Sequence, residues 1–263
     1  MRTDALWIER FYRTKRGHAA RAMVRRRLGA LWPDLTGLDV GAYGYPLPFM
    51  DAWREQARRT VVHMPEAQGA VRWPERQDGP SLTVLGGEAR LPFAEAVFDR
   101  MLLAHALEES ADPRKLLREL WRVMAPEGRM VIVCAHRAGI WSRADSTPFG
   151  HGRPFSRSQL SELLTGALFE PVAWANALYT PPWGWTCGPR LSESLEAIGE
   201  KIFPAFGGLI LVEAVKHVGA VRPGQAERVR SKALEGRAAA GLSPARRRPL
   251  GRSVPPMQER DAP

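Results

Sequence analysis

Residues 35–49, LTGLDVGAYGYPLPF, place one carboxylate and two glycines at the close of an apolar run. Asp39, Gly41 and Gly44 suit a strand that ends in a tight turn ahead of a helix. Glycine lets a backbone come close to a ligand, and the following helix N-terminus favours negative charge. At the strand's end the Asp39 carboxylate is expected to accept hydrogen bonds from the amides that shape the turn. Where more glycine is expected, the chain has Tyr43 and Tyr45. Two glycines after a strand also occur in ordinary turns, so a nucleotide-type site and a plain turn both stay open.

Acid–base chemistry points to histidine. His105, at the end of an apolar run, and His151, in a Gly-flanked loop, are candidates to take a proton from an oxygen or nitrogen acceptor. The plainer readings are a hydrogen-bonded structural residue for His105 and a loop residue for His151. His63 is expected to pack within a strand. Trp183 and Trp185, between prolines and glycines, either roof a pocket or simply pack. The six histidines and two cysteines have no metal-ligand spacing, and neither a Ser-His-Asp arrangement nor a GxxxxGK[ST] loop is present.

Alternating elements must position these groups. Asp4 is placed to cap one helix running from Ala5 through the arginine-rich stretch to Leu31, with Leu6, Phe11, Ala19, Met23 and Leu28 as its apolar stripe. Strands are expected in LTGLDVGA, TVVHMP, SLTVLGG, VFDRMLLAHAL and GRMVIVCAHR, and two more in FEPVAWANALY and GGLILVEAVKHV. Helices are expected in LPFMDAWREQARR, in DPRKLLRELWRVM with Asp112 as cap and Pro113 just inside, in SRSQLSELLTGA with Ser156 as cap, and near Ser192–Ile202. Strands apolar on both faces and alternating with helices indicate a parallel sheet covered on both sides. The organisation is a basic helical segment over 1–34, an α/β domain over 35–218 and a Pro/Arg-rich tail over 219–263. The tail, without apolar periodicity, is expected to be disordered.

Charge is concentrated at the ends. Residues 1–30 hold nine Lys/Arg against two acids and residues 219–263 ten against four, within a net charge of +10. The core domain is therefore not basic. Such ends attract nucleic acid or an anionic membrane surface, or serve solubility alone. Two cysteines, Cys134 and Cys187, make no disulfide framework, and no stretch suits a signal peptide or a membrane span. A cytoplasmic protein is expected.

Residues 86–133 carry a more specific pattern: Glu88 before Leu91-Pro92-Phe93, Phe98-Asp99 opening a strand, and the helix Pro113–Met124 before Pro126-Glu127-Gly128. This resembles the class I S-adenosylmethionine-dependent methyltransferases, in the methyltransferase-11-like branch. The likeness spans roughly residues 35–218, specific in its second half and loose in its first. It implies a Rossmann-like α/β fold: seven strands in the order 3-2-1-4-5-7-6, the last antiparallel, helices on both faces, and S-adenosylmethionine at the carboxyl ends of the first two strands. It also implies that Asp39, Gly41 and Gly44 form the turn near the cofactor's methionine part, that Glu88 accepts from the adenine amino group, and that Leu91 packs near the ring. Ala104 to Leu107 then face the sulfonium and the acceptor.

The departures are Tyr43 and Tyr45 at glycine positions, and Met64 or Pro65 where an acidic residue holds the ribose. Glu66 is the nearest carboxylate to stand in. The reading is methyl transfer to an unidentified acceptor, most simply a small molecule, with nucleic acid as an alternative through the basic termini. The rival is a methyltransferase-like module that binds a partner without catalysis.

Overall fold

The computed structural model describes residues 2–75, 79–183, 189–202 and 206–218. Its strands are β1 (Asp39–Gly44), β2 (Arg59–Pro65), β3 (Thr83–Gly86), β4 (Phe98–Ala104), β5 (Met124–Ala135), β6 (Phe169–Ala177) and β7 (Leu209–Lys216). They form one sheet in the order β3-β2-β1-β4-β5-β7-β6. Neighbours pair in parallel except at β7, which is antiparallel to both β5 and β6. This is the expected order, and β7 is the expected reversed strand.

Side chains alternate across the sheet and feed two cores. On one face Val40, Ala42, Leu102, Val131 and Leu211 meet the helices α1 (Ala5–Tyr12), α2 (Lys15–Leu31) and α3 (Leu47–Arg54). On the other, Tyr43, Met101, Leu103, Ile132 and Val212 meet α4 (Pro113–Val123) and α5 (Arg157–Gly166). A further helix, α6 (Pro189–Ile202), contacts α2. The caps behave as expected: Asp112 accepts from Lys115 N at 3.0 Å, and Ser156 with Gln159 forms a capping box.

The N-terminal stretch differs from expectation, because it is two helices. Arg13 and Thr14 separate them, the Thr14 hydroxyl accepting from Gly17 N and donating to Phe11 O at 2.7 Å. A Cβ on Gly17 would lie 2.1 Å from Phe11 O, so only glycine lets the second helix start this close to the first. Ala5, Ile8, Phe11 and Tyr12 are the buried residues of α1, while Leu6, assigned above to the apolar stripe, is exposed. Residues 5–31 are thus part of the sheet's own core rather than an appendage.

Several N-terminal cations meet acids within the chain: Arg13 with Glu9 and Glu75, Arg21 with Asp51, and Arg27 with Glu200. The expected disorder of 219–263, like Trp185 and Cys187, lies outside the described residues. Among the described residues no helix is long and apolar enough to cross a membrane, and no His/Cys/Asp/Glu group could hold a metal ion.

Candidate functional site

The parallel strands all end at one edge, where Gly44, Pro65, Gly86, Ala104 and Ala135 stand side by side. Open α/β sheets place ligands outside such an edge. The glycine motif reaches it as strand. β1 runs unbroken through Tyr43, and the chain turns only at Gly44, whose φ is +88°.

Asp39 therefore lies at the opposite edge, at the start of β1 rather than at its end. Its carboxylate accepts from Arg58 at 3.0 and 2.7 Å and from Arg59 at 3.0 Å. The hydrogen bonds of Arg58 outweigh the cost of burial and hold its pKa near 2. It ties β1 to Arg58, just before β2, and to Arg59, which opens β2, and it shapes no turn. The strand expected over 35–42 runs instead from Asp39 to Gly44, starting four residues later, and this moves Asp39 to its beginning.

The glycines have packing reasons of their own. A Cβ at Gly41 would lie 2.6 Å from Met101 Cε and 2.9 Å from Phe98 Cγ. At Gly44 it would lie 2.4 Å from Ala104 O, on a backbone already left-handed. Both are required by the approach of β4, whether or not a ligand comes near.

Tyr43 fills the space that a third glycine would leave open. It is fully buried, its ring stacks on His63 with centroids 5.3 Å apart, and its hydroxyl donates to Glu88 Oε2 at 3.3 Å. Burial raises its pKa, so it remains a neutral donor. His63, the strand residue anticipated above, has both ring nitrogens buried without a partner, and burial lowers its pKa to about 4.

Glu88 sits in the loop after β3. Its Oε1 accepts from Ser110 Oγ at 3.2 Å and Ala111 N at 3.1 Å, and its Oε2 accepts from Tyr43 and Arg2. Burial works against the charged form, but the hydrogen bond and charge of Arg2 prevail and hold the carboxyl below its usual range. Leu91 is buried in the same core as Tyr43, with its backbone N–H on Glu119 at 2.8 Å. Glu66 is exposed and opens a 3-10 turn, Glu66–Gln68. Gln68, which the sequence reading passed over, is buried instead. Its Nε2 donates to His105 O at 3.2 Å, which leaves Oε1 as an orphaned buried acceptor.

His105 follows β4 with a left-handed backbone, φ 48°. Its Nε2 shares a hydrogen bond with the Tyr12 hydroxyl at 2.8 Å, and its ring lies 4.8 Å from that of Phe149. Burial lowers its pKa to about 3. The expected base is thus a weak one, because a buried imidazole has no counter-charge to stabilise its cation. Its visible work is to fasten α1 to the end of β4. His151 meets Asp145 O at 3.0 Å and the edge of Trp7, as a loop residue would, and Trp183 is exposed.

Two more groups escaped the sequence reading because each has a partner far away in the chain. Glu108 is buried, accepts from Ala135 N at 2.9 Å and Ala106 N at 3.3 Å, and is pushed up to about 7 by burial. Arg2 lies 86 residues from Glu88. No local pattern announces either. Beside Ala111, a groove of about 330 Å³ runs between the starts of α4 and α5, lined by Arg153, Phe155, Gln159 and Leu163 among others.

Residues 38–132 match a family model described as a methyltransferase domain. The demethylmenaquinone methyltransferase of Mycolicibacterium paratuberculosis is 43% identical over 49 residues, 19% of this chain and 21% of that protein. The uncharacterized protein YafS of Escherichia coli is 30% identical over 128 residues, 46% of this chain and 52% of that one. The match thus spans about a fifth and about half of these relatives' lengths. Among solved structures, a Thermotoga maritima SAM-dependent methyltransferase, described as a possible histamine N-methyltransferase, superposes with a TM-score of 0.57. It is 16% identical, with 79% of this chain and 94% of that one covered, and the likeness is one of fold.

Proposed function

From the premise that this chain belongs to the class I S-adenosylmethionine-dependent methyltransferases, we propose that it transfers a methyl group from S-adenosylmethionine to a small-molecule acceptor. The observation that carries this reading is the Glu88 carboxylate. It stands on the loop after β3, at the ligand-binding edge of the sheet, beside the last residues of the glycine motif. The resemblance assigns the adenine amino group to this residue. Gln68 Oε1 adds a buried acceptor at the same edge, so the polar groups present fit an adenosine.

S-adenosylmethionine supplies an electrophilic methyl on a sulfonium, and the chain's task is to align an acceptor with it. Such transfer depends mainly on in-line placement, which removes the need for a strong base and agrees with a neutral His105. Leu91 would pack near the adenine, and Gly44 would keep the β1 end low under the ligand. Glu66, an exposed carboxylate on the turn after β2, would stand in for the acidic residue that holds the ribose. The groove beside Ala111, with Phe155 and Arg153 on its wall, has room for a small acceptor.

Titration calorimetry of the full chain with S-adenosylmethionine tests the proposal. Binding is expected, and Glu88→Ala should weaken it about tenfold or more, since a hydrogen bond to a charged group is worth roughly 1.5–3 kcal/mol. An unchanged affinity in a folded Glu88→Ala variant would remove the adenine assignment. One observation favours the rival reading, a module that binds a partner without catalysis: Tyr43, at a glycine position of the motif, is packed in the core and donates to the same carboxylate. A wild type and an Arg2→Ala variant that both fail to bind S-adenosylmethionine would remove the methyl-transfer reading and leave that rival.

A further inference from the structure

Glu88 is already saturated by the chain itself. A carboxylate offers about four acceptor positions, and here two donors sit on each oxygen: Ser110 and Ala111 on Oε1, Tyr43 and Arg2 on Oε2. Any ligand donor must displace one of them. Ser110 and Ala111 belong to the loop that leads into α4, and Tyr43 is packed within the core. Arg2 alone among the four comes from a segment that precedes its first helix.

That segment lies directly on the ligand-binding edge. The Arg2 guanidinium donates to Glu88 and, at 3.1 Å, to Ala106 O, and its carbon lies 5.9 Å from the Tyr43 ring centroid. Thr3 fastens the next residue, with its N–H on Glu109 Oε2 at 2.6 Å and its hydroxyl on the other oxygen of that carboxylate. Tyr12 on His105 holds the far end of α1. Arg2, Thr3 and Tyr12 thus meet Ala106, Glu109 and His105, the same short loop after β4.

We propose that residues 2–4 are an autoinhibitory strap. Arg2 and the adenine of the cofactor compete for Glu88, and binding of S-adenosylmethionine releases the strap from the cleft. The inference rests on the adenine assignment above and adds a regulated step to it. Anything that draws the N-terminal segment away, such as a partner carrying its own carboxylate for Arg2, would raise cofactor affinity.

The test uses the full chain, with S-adenosylmethionine and S-adenosylhomocysteine as probes. Arg2→Ala should bind both about tenfold or more tightly, within the range that couples two linked sites. Glu109→Gln loosens Thr3 without touching Glu88 and should shift affinity the same way by less, which guards against a variant that fails to fold. The Thr3 amide reports the strap directly, because its hydrogen exchange should accelerate when cofactor is added. Equal affinity in wild type and both variants would overturn the strap and leave the methyltransferase reading standing. Slower exchange at Thr3 on binding would also overturn it, by making the segment a lid that closes over the ligand. No binding in wild type or in Arg2→Ala would overturn both proposals together.

Discussion

Tyr43→Ala tests whether the residue in the modified glycine motif is a piece of the core. The side chain is fully buried, stacked face to face on His63 at 5.3 Å, and carries one long hydrogen bond of 3.3 Å to Glu88. Packing should dominate. Truncating a buried aromatic ring to alanine costs about 3–5 kcal/mol. Tyr43→Phe keeps the ring and loses only the hydroxyl contact, worth about 0.5–1.5 kcal/mol and near the lower end at this length. For a domain of this size each kcal/mol moves the melting temperature by about 2–4 °C, so the alanine variant should melt roughly 6–20 °C lower and the phenylalanine variant only a few degrees lower. Urea unfolding, with and without a parallel His63→Ala change, would separate the stack. The coupling energy of the pair should be about 0.5–1.5 kcal/mol. If Tyr43→Ala melts like wild type, the ring does not fill the core. Equal losses for alanine and phenylalanine would mean that the hydroxyl, not the packing, holds it.

Gly44→Val should prevent folding rather than merely weaken cofactor binding. Its Cβ would meet Ala104 O at 2.4 Å on a left-handed backbone, and a folded, soluble variant by circular dichroism would contradict this. Asp39→Asn should cost no more than about 1–2 kcal/mol, because Arg58 and Arg59 are largely exposed. It should leave calorimetric affinity for S-adenosylmethionine unchanged, and a binding loss would put Asp39 back at the site. His63 and His105 are neutral in the fold, with pKa values near 4 and 3 against 6.5 for the free side chain. The unfolded chain then binds more protons, so both lower stability as pH falls from about 6.5 towards 4. Glu108, raised to about 7, acts in the opposite sense and gains stability for the fold as pH falls from 7 to about 4.5. His63→Leu should therefore flatten the acid side of a melting-temperature profile relative to wild type. An unaltered profile would show that burial does not lower the His63 pKa in the fold.

Periodicity and capping chemistry are local, and whatever they govern could be read along the chain. The apolar runs announced all seven strands, Asp112 with Pro113 announced α4, and Ser156 announced α5, because each signal lies within a few residues of its effect. The family pattern at Glu88 to Gly128 supplied the strand order that periodicity alone cannot give. One miss was recoverable: Thr14, with Gly17 three residues on, marks the helix break that the arginine-rich stretch concealed. Others needed the third dimension. Where β1 stops decides whether Asp39 stands at the ligand edge or opposite it, and β1 stops where Gly44 meets the backbone of β4 sixty residues away. Tyr43 turns inward because strand alternation puts it on the face where His63 waits, a neighbour supplied by β2. Arg2 meets Glu88 in a fold where α1 is docked through Tyr12 onto His105. Composition and spacing thus determined which elements form. Which side chains share the ligand edge was decided by contacts between segments distant in the chain, since those depend on packing that no local window contains.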